Sequence, residues 1–181
     1  TKIDGVYLVE PKRFGDDRGF FSETFRHNIF TEQTGADVTF VQDNFSYSKH
    51  RGTVRGLHYQ APPFAQGKLV RCSRGEIVDI AVDARPNSPT FGQHVRAVLT
   101  ADNGHQLWVP AGFLHGFSTL VDDTEVAYKV TNYYSGPHDG NVLWNDPALD
   151  IDWGIKGDEA VLSDKDKVAP LFADWDNPFK D

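Results

Sequence analysis

The sequence predicts an all-β fold, a sandwich or barrel with a few short helices and an irregular C-terminal wrap. Three observations lead there. Apolar residues recur with a period near two through most of residues 1–135, β-branched and aromatic residues are frequent, and turn signals cut the chain into short runs. Long amphipathic stretches are nearly absent, which argues against an α/β arrangement.

In chain order the period-two runs predict strands at Gly5–Val9, Phe20–Phe25, Thr39–Ser46, Val54–Gln60, Lys68–Ser73 and Glu76–Asp83. They continue with Gln93–Leu99, Gln106–Val109, Phe113–Leu120 and Thr124–Tyr133. The turns between them are marked by Gly15-Asp16-Asp17-Arg18-Gly19, Pro62-Pro63, Arg74-Gly75, Pro86-Asn87-Ser88-Pro89, Asp102-Asn103-Gly104 and Asp122-Asp123. One early helix is predicted from about Asn28 to Thr34, stopped by Gly35. Beyond Tyr134 the composition shifts toward Asp, Pro, Gly and Trp and the alternation fades, so residues 135–181 are expected to wrap irregularly. Within them Ser163-Asp164-Lys165-Asp166 has capping-box spacing for one small helix, which Pro170 would end.

The length of 181 residues suits one domain with a real core. A net charge of −8 argues against a general nucleic-acid or anionic-membrane surface, although a small anionic ligand needs only a few converging cations. Cys72 is the only cysteine, so no internal disulfide forms and a reducing setting is the simpler expectation. No stretch is apolar enough to span a bilayer or to serve as a signal core, which makes a soluble, cytoplasmic protein the expectation.

Two histidines stand in strand runs about sixty residues apart, His58 in Arg55-Gly56-Leu57-His58-Tyr59-Gln60 and His115 in Pro110-Ala111-Gly112-Phe113-Leu114-His115. This arrangement resembles the cupin jelly-roll barrel, and Pro110-x-Gly112-x-x-His115 fits the second of that superfamily's motifs. The first motif would supply two histidines one residue apart and then a glutamate; here it reads His58-Tyr59-Gln60 with no glutamate following. A transition metal wants three or four converging N or O ligands, so the expectation is no metal. An unligated His58 is free to act as a base. A lone strand histidine is ordinarily a satisfied core imidazole, but Arg55, Gly56 and Lys68 nearby make sense around an anionic substrate and little sense as packing.

Seven runs, in order, carry a closer resemblance: Phe14-Gly15-Asp16-Asp17-Arg18-Gly19-Phe20-Phe21, Phe40-Val41-Gln42-Asp43-Asn44, Arg55-Gly56-Leu57-His58-Tyr59-Gln60, Gln66-Gly67-Lys68-Leu69-Val70-Arg71, Pro110-x-Gly112-Phe113-x-His115-Gly116-Phe117, Tyr128-Lys129-x-Thr131-Asn132-Tyr133-Tyr134 and Ser163-x-Lys165-Asp166. Together they resemble the dTDP-4-dehydrorhamnose 3,5-epimerases. The resemblance implies a cupin-like homodimer without metal or cofactor that epimerises C3 and C5 of dTDP-4-dehydro-6-deoxy-D-glucose on the way to dTDP-L-rhamnose.

Such chemistry removes a proton α to the C4 ketone and returns one to the opposite face, with no redox partner. By the resemblance His58 is the base, a task suited to an imidazole that titrates near neutrality. Lys68 is the cation at the C4 oxygen, where the enolate charge develops. Tyr128 is the acid on the far face, and alternation places it inward with Val126 and Val130. Asp166 is the carboxylate that holds the base, in competition with its place in the capping box, and Asp79 inside an apolar strand is the reserve. Arg18, Glu23, Gln42, Asp43, Asn44, Arg55, Lys68, His115, Asp139 and Lys165 match positions that hold the substrate, with Phe14 and Tyr134 available to stack on thymine. Strict alternation would set Arg55 and His58 on opposite faces, so a bulge is expected at Gly56.

Three other readings stay open. One is an epimerase acting at only one of the two carbons. Another is a metal-dependent cupin oxygenase, which stoichiometric iron would reveal. The last is a sugar-nucleotide binding module, in which His58→Ala would bind normally with no turnover to lose.

Overall fold

A computed structural model describes residues 1–180. Two five-stranded antiparallel sheets face each other as a cupin-like jelly roll. The first is ordered β1 (Tyr7–Val9), β9 (Gln106–Val109), β6 (Lys68–Arg74), β11 (Thr124–Val130), β4 (Gln42–Ser48). The second is ordered β12 (Asp139–Asn141), β5 (Val54–Gln60), β10 (Phe113–Thr119), β7 (Glu76–Asp83), β8 (His94–Thr100). A short hairpin, β2 (Arg13–Asp16) and β3 (Gly19–Ser22), stands apart.

Alternation explains how the sheets are covered. From β7, Ile77 and Ala81 enter the core between the sheets, with Val70, Leu107, Phe117 and Val126 from the other strands. The alternate residues Val78, Ile80 and Val82 face outward into a second cluster with Leu57, Leu114, Trp144, Leu149, Trp153 and Phe179. The polar-looking C-terminal segment thus supplies the apolar cover for the back of the second sheet. Each fully buried aliphatic side chain here contributes on the order of 2 kcal/mol by its removal from water. The outer face of the first sheet is covered by helix α1 (His27–Thr34), whose Phe30 meets Phe25, Phe40 and Trp108 at ring separations of 5.7, 5.7 and 5.2 Å. Gly35 ends α1 in the left-handed conformation, its N–H donating to Thr31 O at 2.8 Å, as the sequence led us to expect.

Some elements differ from expectation. The run Gly15–Gly19 is not all turn: Gly15 and Asp16 complete β2, and only Asp17 and Arg18 turn the chain. The alternation Phe20-Phe21 then belongs to a short hairpin that ends at Ser22, not to a strand reaching Phe25. Strand β4 begins at Gln42 and runs to Ser48, two residues beyond the expected end, because its register follows β11 from Val130 back to Thr124. Strand β12 was not expected at all. Its three residues carry no alternating signal and pair with β5 through Asp139↔Gln60 and Asn141↔His58. The late helix, α2 (Asp164–Lys167), stops before Pro170.

The expected bulge is present. His115 lies opposite His58 and Phe117 opposite Arg55, so two steps on β10 face three on β5. Gly56 absorbs the extra residue at φ 144°, where a Cβ would meet Gly116 Cα at 2.5 Å. Arg55 and His58 therefore share a face while Leu57 stays in the core behind them.

Candidate active site

One end of the barrel holds a cavity of about 540 Å³, in the size range of small-molecule sites. Its walls come from both sheets: Arg55, His58 and His115 from β5 and β10, and Gln42, Asn44, Lys68 and Tyr128 from β4, β6 and β11. The C-terminal wrap closes the rim with Asp139, Ser163, Lys165 and Asp166.

His58 Nε2 lies 2.7 Å from Asp166 Oδ1. Burial works against the Asp166 charge, but hydrogen bonds from His58, Ser163 and Asn141 outweigh it and hold the carboxyl below its ordinary range. An ionised carboxylate only accepts, so Nε2 carries a hydrogen, and in the neutral ring Nδ1 then holds the lone pair. That is the tautomer a general base requires. Ser163 caps the helix by accepting from Asp166 N–H at 3.2 Å, and Asp166 Oδ2 accepts from the same hydroxyl at 2.9 Å. The two demands on Asp166 are met by different atoms. Asp79 is not the partner of His58. It is fully buried and pairs with His115, Nε2 to Oδ1 at 2.8 Å, because both point inward on the adjacent strands β7 and β10.

Lys68 is buried, and among the described residues no carboxylate lies within ion-pairing distance of it. Burial pulls its pKa down to about 8, with Asp79 and Asp139 opposing the shift and Lys165 adding to it. An anion in the cavity would supply what this ammonium lacks. Tyr128 packs its ring against the core, and burial raises its pKa against the lowering influence of Arg55. Its phenol is therefore neutral and able to donate at working pH. Burial lowers the pKa of His115, opposed by Asp79, which leaves that imidazole neutral at pH 7.

Of the residues expected around the substrate, the cavity gathers Gln42, Asn44, Arg55, Lys68, His115, Tyr134, Asp139 and Lys165. Several are already tied to one another. Gln42 donates to Asn44 Oδ1 at 2.8 Å and accepts from Tyr134 N at 3.1 Å, and Lys165 is ion-paired with Asp139. Four residues lie outside it. Asp43 is turned to the other face of β4 by strand alternation and pairs with Lys129 at 2.9 Å. Arg18 is at the hairpin tip against Asp16, Glu23 pairs with Arg26 at 3.3 Å, and Phe14 lies exposed under the Lys12 ammonium. Sequence reasoning passed over Ser46, whose buried Oγ has no partner and whose side chain lines the cavity. The signal was available: Gln42, Asn44 and Ser46 form one polar face at period two.

Among the described residues no three His, Cys, Asp or Glu side chains are grouped to hold a metal ion. The two cavity histidines each face a separate carboxylate. No helix among these residues is long and apolar enough to cross a membrane.

A cupin-like barrel whose inner cavity sets an imidazole–carboxylate pair, a buried ammonium and a buried phenol around one space has the groups of an isomerase type of site. The family model described as dTDP-4-dehydrorhamnose 3,5-epimerase matches residues 1–174, and the chain belongs to that family. It is 56% identical over 172 residues to the dTDP-4-dehydrorhamnose 3,5-epimerase of Sinorhizobium fredii, covering 95% of this chain and 87% of that protein. A solved epimerase from Legionella pneumophila in complex with dTDP-4-keto-L-rhamnose superposes with a TM-score of 0.90 at 46% identity, covering 94% of this chain and 89% of that one. A 3'-monoepimerase from Streptomyces bikiniensis in complex with dTDP-quinovose superposes at 0.88 with 35% identity, covering 96% and 87%.

Proposed function

We propose that this chain is a single catalytic domain that converts dTDP-4-dehydro-6-deoxy-D-glucose to dTDP-4-dehydro-L-rhamnose by epimerising C3 and C5. One observation carries the mechanism: His58 with Asp166 comes from one sheet and the wrap, while Tyr128 comes from the facing sheet, and both line one cavity with Lys68. His58 Nδ1 removes the α-proton, and the imidazolium that forms is balanced by the Asp166 carboxylate. Lys68 meets the charge developing on the C4 oxygen. Tyr128 returns a proton on the opposite face, so that repetition at the second carbon completes both inversions. Arg55 and Lys165 are the cations for the diphosphate, with Asn44 and Gln42 as neutral donors.

Incubation with dTDP-4-dehydro-6-deoxy-D-glucose, followed by proton NMR of the sugar ring, tests the function. Inversion at both carbons is expected. Inversion at one only would establish the single-site reading, which the likeness to a monoepimerase keeps as the second choice. Tyr128→Phe separates the two halves of the reaction: the variant keeps exchanging substrate α-protons with solvent deuterium while inverted product falls about 100-fold or more. Loss of exchange and inversion together would reassign Tyr128 to proton abstraction.

The same reading includes a homodimer. Phe14, Phe20 and Phe21 are 54%, 59% and 70% exposed on a hairpin that also carries Arg18, an arrangement better suited to a covered surface than to water. A second copy lying against this hairpin would bring Phe14, Arg18 and Glu23 toward a nucleotide. Light scattering is expected to give twice the chain mass, and a monomer would contradict the assignment of these three residues.

A further inference from the structure

We propose that Ser163 is a positioning residue for the reaction: its hydroxyl fixes the Asp166 carboxylate so that one oxygen faces His58. This rests on the reading of His58 and Asp166 as base and partner.

The argument starts from α2, which has only four residues. A single turn has no helical stability of its own, so whatever it carries stays in place only through local fastenings. Asp166 is carried there, outside the strand ladders, and its side chain is only 3% exposed and meets a histidine on β5. A carboxylate in that position can rotate unless its second oxygen is held. Ser163 Oγ donates to Asp166 Oδ2 at 2.9 Å and accepts from Asp166 N at 3.2 Å. One hydroxyl has the donor and lone pairs for both bonds. The Ser163 carbonyl also accepts from Asp166 N and Lys167 N at 3.1 and 3.2 Å.

The rest of the turn is moored to β12. Asn141 Nδ2 donates to Lys165 O at 3.1 Å, and Asn141 is itself the strand partner of His58. Backbone position is therefore set by several bonds, while the carboxylate is held at Oδ2 by Ser163, with the Asn141 amide as a further hydrogen-bond partner. An ordinary helix cap would need only the acceptor half of that hydroxyl. The donor half is turned toward the carboxylate that pairs with His58.

Two variants separate cap from positioning. Glycine is tolerated at an N-cap but has no hydroxyl, and threonine keeps the hydroxyl. We expect Ser163→Gly to lower kcat about tenfold or more, the size typical when a group holding a catalytic ligand is lost, with little change in KM or thermal stability. Ser163→Thr should restore most of the loss. A second readout does not depend on turnover: ¹⁵N shifts of labelled histidine should show a fixed Nε2–H tautomer of His58 in the wild type and the threonine variant, and averaged tautomers in the glycine variant. An unchanged tautomer or an unchanged kcat in Ser163→Gly overturns the proposal, as does a threonine variant as slow as the glycine one. If His58→Ala still catalyses α-proton exchange, the base assignment fails by itself, and the tautomer measurement continues to judge Ser163.

Discussion

His58→Ala is expected to lose deuterium exchange at both C3 and C5, with kcat lower by about 10³-fold or more and binding of dTDP-sugar nearly unchanged. General base catalysis supplies about 10²–10⁴-fold on its own, and here the same group would serve both carbons. Binding should survive because His58 is one of many groups around the cavity, and the cations Arg55, Lys68 and Lys165 remain. Asp166 would be left without its imidazole partner but keeps the hydrogen bond from Ser163 at 2.9 Å, so the fold should tolerate the change. Exchange at the wild-type rate would move the base elsewhere in the cavity, and His115, the strand neighbour of His58, would be the first residue to examine.

The second large effect is at Lys68. Lys68→Met should lower kcat/KM by about 10²–10³-fold, the usual cost of deleting one donor to a developing oxyanion. The wild-type pH profile carries the same information. With a pKa of about 8, the protonated form present at lower pH is lost as pH rises through that value, so kcat/KM should fall on the alkaline side with a midpoint near it. An anionic substrate raises the pKa of the bound enzyme, so kcat should hold to higher pH. The sign for stability is opposite. A lysine whose folded pKa lies below its unfolded value costs stability while the pH is below the folded pKa, and the cost is relieved as pH rises from there toward 10.5. The shift corresponds to about 3 kcal/mol at neutral pH, so Lys68→Met should melt several degrees higher while nearly inactive. A variant both active and no more stable would remove Lys68 from the role given it.

The barrel was legible because most strands have one face on a core and alternate accordingly. Where a segment lacked that signal, the reading failed: β12 is Asp139-Gly140-Asn141, a strand without an apolar side chain that is held by its pairing with β5. The bulge at Gly56 could be anticipated because Arg55 and His58 had to share a face and glycine was the residue between them. The choice between Asp166 and Asp79 could not be made from sequence, since it turns on which strand neighbour each histidine meets. Asp79 and His115 are paired by the register of β7 against β10, and Asp166 reaches His58 only after the wrap has crossed the barrel. Asp43 illustrates the limit of carrying residues over by motif: Gln42 and Asn44 line the cavity, and the residue between them faces away. Phe14, Arg18 and Glu23 sit on a hairpin arm and its continuation, outside the cavity that gathers the other residues.

The central claim is proton transfer with solvent at two carbons flanking a ketone. Its most direct test is the mass of the sugar nucleotide recovered after the wild-type enzyme acts on dTDP-4-dehydro-6-deoxy-D-glucose in D₂O, against a sample without enzyme. The account predicts a gain of two deuterium atoms, one at C3 and one at C5. A product with no deuterium at either carbon would contradict it.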